Sequence, residues 1–479
     1  MILMNDYIFL VLLISLLYAV LIGFGLYRAE KKQKQHERGF INDSGFLPYS
    51  LPLFSLAFCI LALLFQPAQI VDFMIAAFFN IFCVIFVYYL ILLIFLPLIR
   101  SHLSVTSIVT LWALPNMLYL GFNIVRYAEP LWIIETPGKL IYILCAVWMM
   151  GFVCVLLISC MDHLIFRRKI LKDAIPLEDQ EIVECMKQVM AELQYKRKMP
   201  VTVISPTIVS PCSIGLFPWA IRLVLPKKEW KTNELRSVLL HELIHLNRKD
   251  NYVKFSLVFM TAICWFNPFM WKAMRKSAQD IELSCDEQVL AGMSTEERKA
   301  YAGIILHTAG SQRGFTTSLS SSAQSLKYRI SCIISPPQRH SGVAVCSAVM
   351  LVMMITCGMF SFAYDPQPFW KVAYDHQDID NARIAWCYDT GNKNALSVTD
   401  EQGLIHYLSD MQLSRFTGNL PNQASNAMSI NITLSDRDCW IILEDDYLAI
   451  ADENFHKTYY YISSGNDWDY LYSITSVKE

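Results

Sequence analysis

The sequence predicts a multi-span α-helical membrane protein with a cytosolic α+β domain inserted before the last span and a small external α+β domain after it. Three observations lead there. Hydrophobic residues make up 54% of the 479 and charged residues only 17%, with a mean hydropathy of +0.35, which is too apolar for an ordinary soluble enzyme. Six stretches approach the roughly 20 apolar residues that cross a bilayer at 1.5 Å per residue. Charge is also partitioned: from Asp365 onward there are 18 acidic and 7 basic residues, net −11, which leaves the rest at +9.

The expected spans, in order, are Tyr7 to Tyr27, Leu47 to Phe65, Phe73 to Ile99, Leu103 to Val125, Leu140 to Met161 and Val343 to Ala363. The first is long for a secretory signal and no small-x-small cleavage site follows it, so it reads as a retained anchor. The fourth is interrupted by Pro115, Asn116 and several hydroxyl residues. Lys and Arg in short loops favour the cytoplasm. The clusters Arg28 to Arg38, Arg167 to Lys172 and Lys327 to Arg339 fall on one side if the amino terminus is outside and the fourth span is real. The domains are then residues 1–161, a membrane domain of about five spans; 162–340, cytosolic; 341–364, the sixth span; and 365–479, external.

The cytosolic segment from Asp173 to about Ser335 has the mixed composition of one small domain. Glu178 to Tyr195 reads as an amphipathic helix. Val201 to Ile204 and Ile221 to Leu225, bounded by prolines, read as strands. The second, just upstream of the next helix, is a candidate edge strand for backbone pairing with an extended peptide, or a plain sheet edge.

The chemistry centres on His241-Glu242-Leu243-Ile244-His245. A helix advances about 100° per residue, so His241 and His245 share a face and can bind one metal through imidazole nitrogens. Zn2+ lowers the pKa of its bound water to about 7, and Glu242 is placed to take the proton as that water attacks a carbonyl carbon. The domain is therefore expected to be zincin-like. A catalytic zinc needs a third protein ligand and an open position. Glu282 is the best candidate, and Asp286, one turn on, is placed to accept a hydrogen bond from the second nitrogen of a ligating histidine. Between the two halves runs the uncharged Phe255 to Trp271. A single crossing there would set His245 and Glu282 on opposite faces of a hydrocarbon layer about 30 Å thick, so the segment is expected to pack on the bundle or dip into the bilayer surface.

Of fourteen cysteines none forms a C-x-x-C pair. Cys285 reads as a packed residue or a reactive thiol, and Cys387 and Cys439, the only two in the tail, leave a disulfide open.

His241 to His245 followed by Asp250, Trp265-Phe-Asn-Pro268 and Glu282-Leu-Ser-Cys-Asp-Glu287 together resemble the BlaR/MecR-type membrane metallopeptidases, sensor-transducers that control β-lactamase or related operons. The resemblance covers about Leu140 to Ala363. It implies His241, His245 and Glu282 as zinc ligands, Glu242 as general base and a cytosolic winged-helix repressor as protein substrate. The tail departs from the β-lactam sensors: its 115 residues hold no Ser-x-x-Lys, Lys457-Thr458 is followed by Tyr459, and Ser429-Ile-Asn431 stands alone. Strands at Ser429 to Leu434, Cys439 to Leu443, Tyr447 to Ala451 and Thr458 to Ser463 instead suggest a small α+β fold for an unknown external ligand.

The expected function is thus a membrane-bound zinc endopeptidase in signal transduction by regulated proteolysis, an antirepressor whose partners also include the lipid bilayer. No basic run interleaved with aromatics suggests nucleic-acid binding. The alternatives are a prenyl-protein-type membrane endopeptidase and a receptor with a non-catalytic zinc site. Self-cleavage between Gly310 and Arg339 is left open. Arg248, Lys249 and Asp250 place the end of the motif helix outside the hydrocarbon and so argue against an intramembrane protease.

Overall fold

A computed structural model describes residues 4–34, 46–65, 67–120, 130–195, 197–309, 323–374, 382–417, 424–434, 437–451 and 457–477. The first membrane helices are α1 (Met4–Lys34), α2 (Phe46–Phe65) and α3 (Pro67–Ile99), followed by the short α4 (Val105–Ala113) and, after Thr136, by α5 (Leu140–Leu171). Three helices among the described residues are long and apolar enough to cross a membrane: Phe9–Lys31, Phe73–Ile99 and Leu140–Leu171. They correspond to the first, third and fifth expected spans.

The other three expected spans take different forms. α2 is 20 residues long, though its described apolar part is Ser50–Leu61. The fourth is the nine-residue α4 continued by a 3-10 turn, Leu114–Leu120. Pro115 supplies no N–H to an α-helical ladder, so the geometry tightens there. Ile108, Trp112 and Leu118 are at most 1% exposed, which makes this segment part of the bundle's core; residues 121–125 lie outside the described ones. The sixth is α12 (Val343–Ile355), about 20 Å long. From Phe360 the chain is β-strand, so the last residues of the expected span pair with a sheet and do not continue the helix.

The uncharged segment Phe255 to Trp271 folds as a hairpin of two helices. The motif helix α7 (Thr232–Arg248) ends at Lys249, in the left-handed conformation at φ 60°, and α8 (Asp250–Ile263) leaves from it. The chain turns at Cys264-Trp-Phe-Asn267 and returns as α9 (Pro268–Val289). The turn is packed among the long helices, with Trp265 against Trp148 and Gly151 in the first third of α5 and Phe266 against Phe82 of α3. Its polar groups are paired inside the protein. Asn267 caps α9 by accepting from the Phe269 and Met270 amides at 2.9 and 3.4 Å, Trp148 Nε1 donates to the Ile263 carbonyl at 2.8 Å, and Trp271 Nε1 donates to the Trp265 carbonyl at 2.9 Å. Irregular backbone at membrane depth is tolerated where such pairing exists. Trp265-Phe-Asn-Pro268 is therefore the closure of an in-and-out hairpin, which returns Glu282 to the side where His245 lies.

The inserted domain holds a four-stranded sheet in the order β2 (Ile175–Pro176), β3 (Val201–Ser205), β5 (Arg222–Pro226), β4 (Cys212–Ile214). The helix α6 (Gln180–Glu192), α7 and Leu223 and Leu225 of β5 share one core. The expected edge strand, Ile221 to Leu225, is thus an interior strand, paired on both sides; the edge beside α7 is β4. Two further helices, α10 (Thr295–Ala309) and α11 (Ala323–Ile334), complete the domain. The self-cleavage segment between Gly310 and Arg339 lies partly outside the described residues.

The tail forms most of a ten-stranded sheet of β1 (Trp132–Thr136), β6 (Phe360–Pro368), β7 (Arg383–Asp389), β8 (Asn394–Val398), β9 (Gln412–Phe416), β10 (Ala427–Leu434), β11 (Arg437–Glu444), β12 (Tyr447–Ala451), β13 (Lys457–Ile462) and β14 (Thr475–Val477), ordered β1-β6-β9-β13-β12-β11-β10-β7-β8-β14. All four expected tail strands are present. One strand comes from elsewhere: β1 (Trp132–Thr136), just before α5, pairs in parallel with β6 (Phe360–Pro368). Asn80 of α3 grips the start of β6, accepting from the Gly358 and Phe360 amides at 3.2 and 3.0 Å and donating to the Phe360 carbonyl at 2.7 Å. Toward the other end of the bundle, Glu30 accepts from the hydroxyls of Ser104 and Ser107 at 2.5 and 2.6 Å, and Ser107 accepts from the Gly342 amide at 3.1 Å. Cys387 and Cys439 are both buried thiols. They stand on strands flanking β10 (Ala427–Leu434), opposite Ile430 and Ile432, two strand spacings or about 9.6 Å apart, beyond disulfide reach.

A Cβ added at Gly151 would lie 2.2 Å from the Trp265 ring. Gly151→Ala is expected to lower stability by about 1–3 kcal/mol, as overpacking of a fitted contact does. Thermal unfolding of the purified protein checks this, and an unchanged Tm would contradict the close packing of the hairpin tip.

Candidate metal centre

α7 carries His241 and His245 on its core-facing side, and α9 brings Glu282 across from them. His245 Nε2 lies 3.0 Å from His241 Nε2, and Glu282 Oε2 lies 3.4 and 3.5 Å from the same two nitrogens. Donors bound tetrahedrally at 2.0–2.1 Å from a zinc ion stand about 3.3 Å from each other, so the three atoms fit that ion with the fourth position left to a small ligand.

The remaining ring nitrogens are turned the other way and paired. His245 Nδ1 is 2.6 Å from Asp250 Oδ2, an N–H donor to a buried carboxylate, so its Nε2 is free to ligate. His241 Nδ1 is 2.9 Å from the Tyr301 hydroxyl, which in turn donates to Asp286 Oδ1 at 2.8 Å. Asp286 itself is 3.5 Å from His241 Nδ1 and is also held by the Arg329 guanidinium. The supporting role expected of Asp286 is therefore relayed through Tyr301, and the direct carboxylate partner belongs to the other ring. The αL residue Lys249 makes that possible, because it turns the chain sharply and swings Asp250 back under His245.

Cys285 is buried, with its sulfur 3.5 Å from His241 Nδ1 and near both rings. It is neither an ordinary packed residue nor an exposed thiol. It also qualifies by proximity as a ligand, but it meets His241 on the edge turned away from Glu282, whereas Glu282 faces both Nε2 atoms. The set with Glu282 is the tighter, its three atoms within 3.5 Å of one another, against 4.8 Å for the two rings with the Cys285 sulfur.

Lys254 donates to Glu282 Oε1 at 3.1 Å, while Oε2 faces the two rings and, at 3.6 Å, the Arg329 guanidinium. Burial works against the charged carboxylate, yet Lys254 and the two histidines hold Glu282 well below the usual range. Burial likewise opposes protonation of His241, but Cys285 and Glu282 outweigh it and push the ring up to about 10. The surroundings thus attract positive charge. Glu242 is 8% exposed, and its carboxylate adds to burial in pushing Cys212 of β4 up to about 12. Glu242 thus neighbours the edge strand.

A model of the BlaR1 peptidase M56 family matches residues 79–333, more than half of the chain. The chain belongs to that family. Among its relatives, "Regulatory protein BlaR1" of Bacillus licheniformis is 30% identical over 187 residues, covering 38% of this chain and 30% of that protein. "Methicillin resistance mecR1 protein" of Staphylococcus aureus is 26% identical over 174 residues, covering 35% of this chain and 28% of the relative. The protein of the same name from Staphylococcus epidermidis matches at the same identity over the same length. The chain thus spans less than a third of the length of these relatives. The M56 match covers the hairpin and both halves of the candidate centre.

Sequence reasoning named the three candidate donors that the fold brings together, and it missed Tyr301, Lys254 and Arg329, which reach the site from other helices and carry no spacing signal. Asp250→Asn or Tyr301→Phe is expected to weaken zinc binding about 10–100-fold while the fold persists, since each removes a partner that orients a ligating ring. Competition with a chromogenic chelator measures this. With the His241 ring pushed up by Cys285 and Glu282, zinc binding at neutral pH is expected to release protons. Calorimetry in buffers of different ionisation enthalpy reads that release, and a null result would contradict the raised ring.

Proposed function

We propose that this M56-family protein is a membrane-bound zinc endopeptidase that relays an external signal by cutting a cytosolic protein. The observation that carries the reading is the convergence of His241 Nε2, His245 Nε2 and Glu282 Oε2 within 3.5 Å of each other, with Glu242 on the same helix as the rings. In this reading His241, His245 and Glu282 hold the zinc. When bound, the ion brings a water to a pKa of about 7 and polarises the scissile carbonyl. Glu242 accepts the proton of the attacking water and passes it to the departing amide nitrogen. Asp250 and Tyr301 keep the two rings in the ligating tautomer, and Lys254 holds the Glu282 carboxylate in place. β4 is the terminal strand of its sheet, with its side chains buried, and its unpaired edge is where an extended peptide would pair beside Glu242.

The names of the relatives connect those proteins with regulation and methicillin resistance, and a winged-helix repressor is the substrate proposed for this chain. The tail is proposed as the external sensor, with the peptidase domain on the cytosolic side. Support comes from the pairing of β1 with the tail sheet and of Glu30 with Ser104 and Ser107, since the expected topology puts the first pair outside and the second inside.

Glu242→Gln is expected to keep bound zinc and lose cleavage by about 10²–10⁴-fold, whereas His241→Ala loses the metal as well. Comparing intracellular protein fragments in cells carrying the parent or Glu242→Gln protein tests both enzyme and substrate. Undiminished proteolysis by Glu242→Gln would remove the assigned base, and cleavage restricted to prenylated peptides would favour the other endopeptidase class.

A further inference from the structure

We propose that the Phe217-Pro-Trp219 turn between β4 and β5 is a lipid anchor that docks in the headgroup layer of the leaflet at which α5 ends. Phe217 and Trp219 are 53% and 74% exposed, and their rings stack on each other at 4.9 Å and 4°. The turn is built to present them. Gly215 sits at φ +111°, where a Cβ would meet the Ala220 carbonyl oxygen at 2.3 Å, and the Ala220 and Ile221 amides donate back to the Phe217 carbonyl at 2.7 and 3.0 Å. Arg222 donates to the Trp219 carbonyl at 2.9 Å. Two large rings displayed on a closed turn, stacked on each other and more than half exposed, form an apolar patch suited to a partner from outside the chain.

Position and charge point to lipid as that partner. Arg167, on α5, donates to the Ala220 carbonyl at 3.4 Å, so the turn is tied to this helix near its end. The exposed apolar surface of α5 runs through Ile158, Met161, Leu164 and Ile165, reaching to within two residues of Arg167. The turn is therefore continuous with a surface already suited to lipid. Arg167 and Arg222 bond to the turn itself, and Arg168, Lys169 and Lys172 follow Arg167 at the end of the same helix, a basic cluster that attracts anionic headgroups. Tryptophan with a polar edge and an apolar body is the side chain that favours that layer. The anchor holds β4 at the bilayer surface. If the peptidase reading is also right, a substrate reaches the edge strand within the headgroup zone.

Photo-crosslinking of the full chain in nanodiscs of phosphatidylglycerol and phosphatidylethanolamine tests the anchor without reference to catalysis. Trp219, and separately Phe217, is replaced by p-benzoylphenylalanine; Ile158 of α5 serves as the lipid-facing reference and the exposed Leu306 of α10 as the comparison outside the bundle. After irradiation, mass spectrometry is expected to find phospholipid adducts at 219 and 217 in yields comparable to 158, and none at 306. Adducts to protein at 217 and 219, or no lipid adduct there while 158 captures lipid, would overturn the proposal. Because the readout is a lipid adduct, a failed anchor is distinguishable from a failed peptidase assignment.

Discussion

One geometric constraint governs the arrangement: two imidazoles and a carboxylate that meet within 3.5 Å are separated in the chain by an apolar stretch almost long enough to cross a bilayer. Only an even number of passages satisfies it. The chain solves this by turning at Cys264-Trp-Phe-Asn267 and running back, α8 covering about 20 Å inward and α9 returning farther. Such a turn is stable only if its backbone is satisfied among side chains. Asn267, Trp148 and Trp271 do this, and Gly151 leaves space for the Trp265 ring.

The same hairpin ties the candidate centre to the long helices. Asp280, two residues before Glu282, is 1% exposed and is held by the Arg100 guanidinium, just after α3, and by Trp112 Nε1 at 2.8 Å. Burial raises the cost of that charge, so the partners must stay in place together. In its first half, α3 uses Asn80 to hold the first strand of the tail. One helix therefore touches both the tail and the segment carrying Glu282.

Legibility differed among the elements for physical reasons. The first, third and fifth spans and the four tail strands were readable because their patterns are local: continuous apolar runs, or short β-branched and aromatic runs bounded by turn residues. The fourth and sixth expected spans were not. Hydropathy does not foresee that the fourth would be a nine-residue helix continued by a 3-10 turn in the bundle's core, nor that Phe360 to Ala363 would pair with β1 some 230 residues earlier in the chain. The edge position of β4 was likewise set by sheet order, which short strands do not encode.

The sequence by itself determined the chemistry of the candidate centre: which residue types are present, and, through a spacing of four on a helix, that two rings share one face. It also determined that Phe255 to Trp271 could not cross once, because ligand distance and hydrocarbon thickness are incompatible. Tertiary structure alone decided which groups orient those rings. Asp250 reaches His245 only because Lys249 adopts the left-handed conformation, and Tyr301 comes between His241 and Asp286 only because α10 packs on α7. Those contacts arise from helix packing and chain reversal, for which no periodicity in the sequence exists.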